Sequence, residues 1–257
     1  MKPIAIIRPV SSRIVDCELT HLARERIDYA RAVDQHVQYE AALTRRGCEI
    51  VRIPAAHDLP DAVFVEDVAV VLDELAVMTR PGAVSRRDEG RDVEPVLARH
   101  RDIVCIEAPA TLDGGDVLRL GRRIFVGQSS RTSDEGIAQL RSLVSGFGYD
   151  VRAIPVEGCL HLKSAVCAVG EHALLGNSAW VDRRSFGEAD WIEIDEREPH
   201  AANALWIGDG VIYPRAFVYS AELLRRHLEA RNVSLDLVDA SELAKAEGGV
   251  TCCSLIL

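Results

Sequence analysis

The chain has 257 residues, 48% of them hydrophobic and 5% aromatic, enough to bury a core without disulfide or metal staples. Asp and Glu number 40 against 30 Lys and Arg, so the net charge is -10, and such a surface repels phosphate backbones and argues against a nucleic-acid partner. No run of 18 apolar residues occurs, which argues against a membrane partner, and the opening stretch Lys2-Pro3-Ile4-Ala5-Ile6-Ile7-Arg8-Pro9 lacks the length and cleavage site of a signal peptide and reads as a first strand.

The elements then follow in chain order. Apolar residues at helical spacing predict a helix over 28–46. A hairpin follows, Val65–Leu72 turning at Asp73-Glu74 into Leu75–Met78, and then a helix over 90–99. A second hairpin joins Val117–Leu120 to Ile124–Val126 through Gly121-Arg122-Arg123, with a helix over 133–146. A third joins Ala165–Val169 to Ala173–Leu175 through Gly170-Glu171, and a fourth joins Ala204–Ile207 to Val211–Tyr213 through Gly208-Asp209-Gly210, ahead of a helix over 220–231. Gly or Asp at each turn is the chemistry that tight hairpins require. The chain closes on the strand Leu255-Ile256-Leu257.

These units repeat. A polar cluster stands ahead of each inner strand: Glu66-Asp67, Asp113-Gly114-Gly115-Asp116, His161-Leu162-Lys163-Ser164, Asn203 and Thr251-Cys252-Cys253-Ser254. From Asp67 the steps to Asp113, His161, Asn203 and Cys252 are 46, 48, 42 and 49 residues, a spacing that marks one supersecondary unit per step. The expected fold is therefore α/β, with five strand–strand–helix units around an axis. The last unit lacks a strand, and the orphan strand at 4–8 supplies it by joining the two chain ends. The competing reading is an ordinary α/β sheet whose polar residues are unrelated turn and cap residues.

A five-fold arrangement brings equivalent positions together. Asp113, His161 and Cys252 then form a carboxylate, an acid/base and a thiol nucleophile; read singly, they are a turn Asp-Gly, a core histidine and a small residue of the last strand. The seven cysteines (17, 48, 105, 159, 167, 252 and 253) are odd in number, scattered and without a CxxC pair. That pattern predicts reduced thiols in a cytoplasmic protein, mostly core filler, and no structural zinc site. Asp67 lies with Glu66 inside the apolar run Val63–Val71, where two acids are costly unless a cation meets them. Either a cationic ligand or an internal arginine would serve.

The ordered set of Phe64-Val65-Glu66-Asp67-Val68-Ala69-Val70, Thr79-Arg80-Pro81-Gly82-Ala83, Ser85-Arg86-Arg87, Thr111 to Val117, Val126-Gly127, Arg131-Thr132, Leu160 to Ser164 and Thr251-Cys252-Cys253-Ser254 resembles the dimethylarginine dimethylaminohydrolases, over essentially the whole chain. The resemblance implies the five-bladed α/β propeller of the guanidine-modifying (pentein) superfamily, with Cys252 as nucleophile, His161 as general acid/base and Asp113 beside it. It further implies that Asp67, Asp113 and Glu66 hold a guanidinium, and that Arg86 and Arg131 grip the substrate α-carboxylate. Asp61 would contact the α-amino group with the backbones of Leu19 and Ala246, and Phe64 would line the site.

The implied reaction converts an Nω-methylated arginine to citrulline and an alkylamine through a covalent thiouronium on Cys252, with no metal or organic cofactor. Zinc bound through Cys252 and His161 would be an inhibitor. The implied partner is a small molecule, with a homodimer compatible. Arginine deimination and amidino transfer are the neighbouring chemistries, and a non-catalytic propeller used for binding is the reading from another class. The stretch 11–26, polar and aperiodic, reads by itself as an ordinary surface loop; the resemblance implies that it is a lid over the substrate, within a single domain.

Overall fold

The computed structural model describes residues 2–257. The chain enters on β1 (Ile4–Ile7), crosses helix α1 (Tyr29–Arg45) and returns on β2 (Glu49–Arg52). Two units follow: β3 (Ala69–Val71), β4 (Leu75–Met78), α2 (Glu94–Leu97) and β5 (Asp102–Cys105), then β6 (Val117–Leu120), β7 (Arg123–Gln128), α3 (Asp134–Val144) and β8 (Asp150–Pro155). The third has α4 (Leu162–Ala165), β9 (Val166–Ala168), β10 (Ala173–Gly176) and β11 (Asp190–Glu193). The fourth has β12 (Leu205–Ile207), β13 (Gly210–Pro214), α5 (Val218–Glu229) and β14 (Ser234–Val238), followed by α6 (Ser241–Ala244) and β15 (Leu255–Ile256).

The described residues form five three-stranded sheets, each an antiparallel pair with a third strand parallel to one of its members, and in four of them the pair is a hairpin. The fifth sheet is built from both chain ends: Ala5 pairs with Ile256 and Ile6 with Leu255, while β1 runs parallel to β2. The orphan strand therefore completes the last unit as the repeat predicts, and the fold is the five-bladed α/β propeller.

Two expectations need correction. The repeating unit is not strand–strand–helix but strand–strand–crossover–strand, because β2, β5, β8, β11 and β14 return alongside the hairpins. A parallel partner requires such a crossover, yet it need not be a helix: between β10 and β11 it holds only a 3₁₀ turn at Arg183–Phe186. The helix expected over 90–99 likewise shrinks to the four residues of α2, with Pro95 in its first turn.

The first inner strand, β3, begins at Ala69 rather than at Val65 as its apolar run suggests, whereas β6 begins at Val117 as expected. Val65–Val68 and Gly114–Asp116 form 3₁₀ turns, and α4 is one α-helical turn, each directly ahead of an inner strand. Adjacent strand residues point to opposite faces, so a strand through Glu66 and Asp67 would bury only one of them. The turn buries both. These turns also tie each unit to the next. Gly115 N–H donates to Asp67 Oδ1 (2.9 Å), Leu162 N–H to Asp116 Oδ1 (2.9 Å), Asn203 Nδ2 to the Lys163 carbonyl (3.2 Å), Thr251 N–H to Asn203 Oδ1 (3.1 Å) and Glu66 N–H to the Cys252 carbonyl (3.1 Å). All five junctions carry one such bond, and the ring closes around the axis.

Outside the ring, α1, α3 and α5 bury apolar faces against their sheets, α3 for example through Ile137, Leu140 and Val144. Asp28 caps α1 by accepting the Arg31 N–H, and Ser133 caps α3 by accepting the Gly136 N–H. Cys17, Cys48, Cys159, Cys167 and Cys253 are buried, whereas Cys105, read as core filler, is exposed at the end of β5. Among the described residues no helix is long and apolar enough to cross a membrane.

Candidate active site

The ring of turns places the acids, the imidazole and the thiol at the axis. His161, the residue before α4, puts Nε2 3.0 Å from Asp113 Oδ2 and Nδ1 3.8 Å from Asp67 Oδ1. Asp113 also accepts the Gly82 N–H through Oδ1 at 2.8 Å. Gly115 is required here: a Cβ on it would lie 2.6 Å from His161 Nδ1 and 2.7 Å from Asp67 Oδ1. All three side chains are buried.

Burial alone would lower the His161 pKa, but the charges of Asp67, Asp113 and Asp116 outweigh it and raise the imidazole to about 9. Burial would conversely raise Asp67, and the His161 and Arg86 cations overcome it, holding this carboxyl below the usual range. Asp116 accepts from Ser129, Thr132 and the Leu162 N–H, and Thr132 Oγ1 in turn accepts the Asp113 N–H. Asp116 thereby locks the backbone that carries His161 to the one that carries Asp113.

Glu66 faces a different partner from Asp67. Its two oxygens accept from Lys163 Nζ and Thr251 Oγ1, both at 2.7 Å, so the cation that offsets it is internal. The half-buried Cys252 follows Thr251, and its Sγ accepts the Gly249 N–H at 3.3 Å. Burial first, then the charges of Glu66 and Asp67, push the Cys252 thiol far up. Cys253 packs into the apolar cluster between α1 and the terminal sheet.

Arg86 and Arg131 are both buried rather than solvated, but they are differently committed. Arg86 gives Nη1 to Asp67 Oδ2 (2.7 Å) and Nη2 to Glu89 Oε2 (2.8 Å), with further contacts to the Asp61 and Phe64 carbonyls. Burial raises the Glu89 carboxyl to about 7 despite Arg86. Arg131 Nη2 donates to Thr20 Oγ1 at 2.9 Å, while its buried Nη1 has no hydrogen-bond partner among the described residues. Asp61 accepts the Glu18 N–H at 3.1 Å.

One chamber of ≈10 Å³ is lined by Asp61, Phe64, Asp67, Arg86, Arg131, His161, Ala246 and Cys252. A larger cavity of ≈340 Å³ meets it at His161 and Cys252 and is lined also by Leu160, Asn203 and Phe217. Of the expected site residues, Asp113 stands behind His161, Glu66 lines the larger cavity and not the chamber, and Leu19 is adjacent to the lining residue Glu18. Sequence reasoning missed Glu89, Asp116 and Glu247. Asp67, Asp113 and His161 place donor atoms within 4.8 Å of one another, close enough to bracket a cation. A metal there would compete with Arg86, Gly115 and Gly82, which already hold the two carboxylates.

The chain is 39% identical over 254 residues to N(G),N(G)-dimethylarginine dimethylaminohydrolase of Streptomyces coelicolor, covering 98% of this chain and 96% of that one. It is 34% identical over 256 residues to the enzyme of the same name from Pseudomonas aeruginosa, covering 99% and 98%. A solved structure of the Pseudomonas protein, a cysteine-to-serine mutant complexed with citrulline, superposes with a TM-score of 0.92 over the full length of both chains at 32% identity. No protein-family model matches the chain.

Proposed function

The chain belongs to the dimethylarginine dimethylaminohydrolase family, and from that premise and the site geometry we infer that it hydrolyses Nω-methylated arginines to citrulline and an alkylamine, with Cys252 as the nucleophile. The observation that carries the site assignment is the convergence of His161, Asp67 and Cys252 on a chamber that also holds Asp61 and the unpartnered Arg131 Nη1. One end suits a guanidinium and a thiol, the other an amino acid.

Arg131 Nη1 supplies a donor for the α-carboxylate, a match to the planar fork of arginine, and Arg86 has one Nη1 hydrogen left beside it. Asp61 takes the α-ammonium together with the carbonyls of Leu19 and Ala246, and Phe64 walls the stem. Asp67 binds the guanidinium nitrogens, while Glu66 stands beyond, paired with Lys163.

The thiol is held protonated by the negative charges around it, so a cation is needed before it ionises. The substrate guanidinium is that cation, and the thiol proton leaves to solvent as the ion pair forms. Cys252 Sγ then adds to the guanidinium carbon, forming a C–S bond and a neutral tetrahedral adduct. His161, protonated at neutral pH with Asp113 behind it, gives its proton to the alkylated nitrogen. The C–N bond breaks, the amine departs into the larger cavity, and an S-alkylthiouronium cation remains on Cys252.

Neutral His161 now removes a proton from water as its oxygen adds to the same carbon. Collapse breaks the C–S bond, releases citrulline and returns the thiol. Pre-organised charge at a buried site supplies the acceleration.

Citrulline formation from asymmetric dimethylarginine, monomethylarginine and arginine tests this reading. Cys252→Ser is expected to abolish turnover and Cys253→Ser to retain it. Absence of citrulline from every methylated substrate, or full activity in Cys252→Ser, overturns it.

A further inference from the structure

Glu247 takes part in none of the steps above, yet it makes the densest set of contacts to the loop over the chamber. Its carboxylate accepts the N–H of Thr20 at 3.1 Å to each oxygen, and those of His21 and Leu22 at 2.6 Å. Three successive amides converging on one carboxylate make an anion-holding concavity with charge-assisted bonds. To present that carboxylate, Glu247 holds φ at +59°, a left-handed conformation uncommon for a non-glycine residue. Two residues on, the Gly249 N–H donates to Cys252 Sγ, so the residue that ties down the loop belongs to the segment that seats the nucleophile.

Two other ties of this loop share side chains with the substrate: Glu18 N–H donates to Asp61 Oδ2 and Thr20 Oγ1 accepts from Arg131 Nη2, the two groups assigned above to the α-ammonium and α-carboxylate, while Ser85 Oγ donates to Glu18 Oε1 and Lys245 Nζ to the Arg26 carbonyl. The chamber beneath, at ≈10 Å³, has room for about one water. An arginine derivative can enter only if the loop lifts, and on binding it meets the open atoms, Asp61 Oδ1 and Arg131 Nη1. The tie to Glu247 uses neither group, so substrate binding does not require it to break.

We propose that Glu247 is the latch of the 11–26 loop: a positioning residue whose carboxylate holds the Thr20–Leu22 amides and keeps the chamber closed over bound substrate. It acts on retention of the substrate rather than on bond-making at the guanidinium carbon. In its kinetic consequence the proposal rests on the methylarginine reading; in its structural consequence it does not.

Two measurements on the full-length protein separate those parts. Arg13, Arg24 and Arg26 are exposed on this loop, so trypsin reports its opening without any substrate. Glu247→Gln, which removes the charge and one acceptor, is expected to be cleaved there several-fold faster than wild type at equal thermal midpoint, and Glu247→Asp to fall between. In turnover, Glu247→Gln raises KM for dimethylarginine about tenfold with kcat within threefold, the scale of losing charge-assisted bonds. Unchanged cleavage in Glu247→Gln overturns the latch. So does a loss confined to kcat with the loop still protected, which would put Glu247 at the reacting carbon. A wild-type protein without turnover would defeat the functional reading, while cleavage would still decide the latch.

Discussion

His161 Nε2 lies 3.0 Å from Asp113 Oδ2, and Asp113 has no solvent exposure at all. That contact commits one ring nitrogen to a buried carboxylate and leaves the other towards Asp67, so the site favours imidazolium. The folded value of about 9 lies above the ~6.5 of an unfolded histidine. The sign follows: the contribution of His161 to stability is complete below about pH 6.5 and is lost as the pH rises through about 9.

His161→Gln should therefore cost most stability near pH 6, with the gap to wild type narrowing towards pH 9.5 by roughly 1.4 kcal/mol per pH unit at its steepest. Urea denaturation of both proteins across that range measures it. A gap that stays constant would mean that folding leaves the His161 pKa unshifted.

The thiol offers an independent check on the same field. Glu66 is the largest charge raising Cys252, and Lys163 offsets it only in part. Glu66→Gln removes the anion and frees the ammonium, so the Cys252 pKa should fall. Alkylation by iodoacetamide at pH 7.5 is then expected to quicken, about tenfold for each unit of fall, and Cys252→Ser in the same background should abolish the label. Equal or slower alkylation in Glu66→Gln would show that burial, not Glu66, governs the thiol.

How much of this was legible in the sequence depended on whether a signal was periodic. Asp67, Asp113, His161 and Cys252 recur at one phase of a repeat of 42–49 residues, which brings them to one centre in a ring but not in an open sheet; the family resemblance then favoured the ring and gave Asp67 its role. The returning strands carried no such signal. β2 and β5 are four residues long with exposed ends, so they lack both the apolar run and the clean alternation that mark a strand. Glu89, in Arg86-Arg87-Asp88-Glu89, reads as a charged surface turn until the fold buries it on Arg86. Glu247 matters only through the backbone of a loop more than 220 residues away, and backbone acceptance leaves no trace in the sequence.

Gly115 tests whether close approach, rather than side-chain identity alone, sets the geometry. A Cβ there would press on His161 Nδ1 and Asp67 Oδ1 together, and both belong to buried, bonded groups. Gly115→Ala should lower the thermal midpoint by an amount matching about 1–3 kcal/mol of overpacking, with citrulline formation falling at least a hundredfold. Calorimetry and turnover together check it; wild-type activity would mean that the turn can shift without moving the imidazole.

The two arginines separate binding from structure. Arg86 is spent on Asp67 and Glu89, both buried, and its planar fork reaches them at once. Lysine offers a point charge that cannot span both, so Arg86→Lys should leave a buried carboxylate without its partner and destabilise the fold by about 3 kcal/mol. Arg131 spends one hydrogen bond on Thr20, and its Nη1 is free. Arg131→Lys therefore disturbs little in the folded protein, yet removes the two-pronged donor from the amino-acid end of the chamber. The expected outcome is a KM for dimethylarginine raised more than tenfold at nearly unchanged urea midpoint, against a lowered midpoint for Arg86→Lys. If Arg131→Lys instead unfolds like Arg86→Lys while keeping its KM, the α-carboxylate is held elsewhere and Arg131 serves the loop through Thr20.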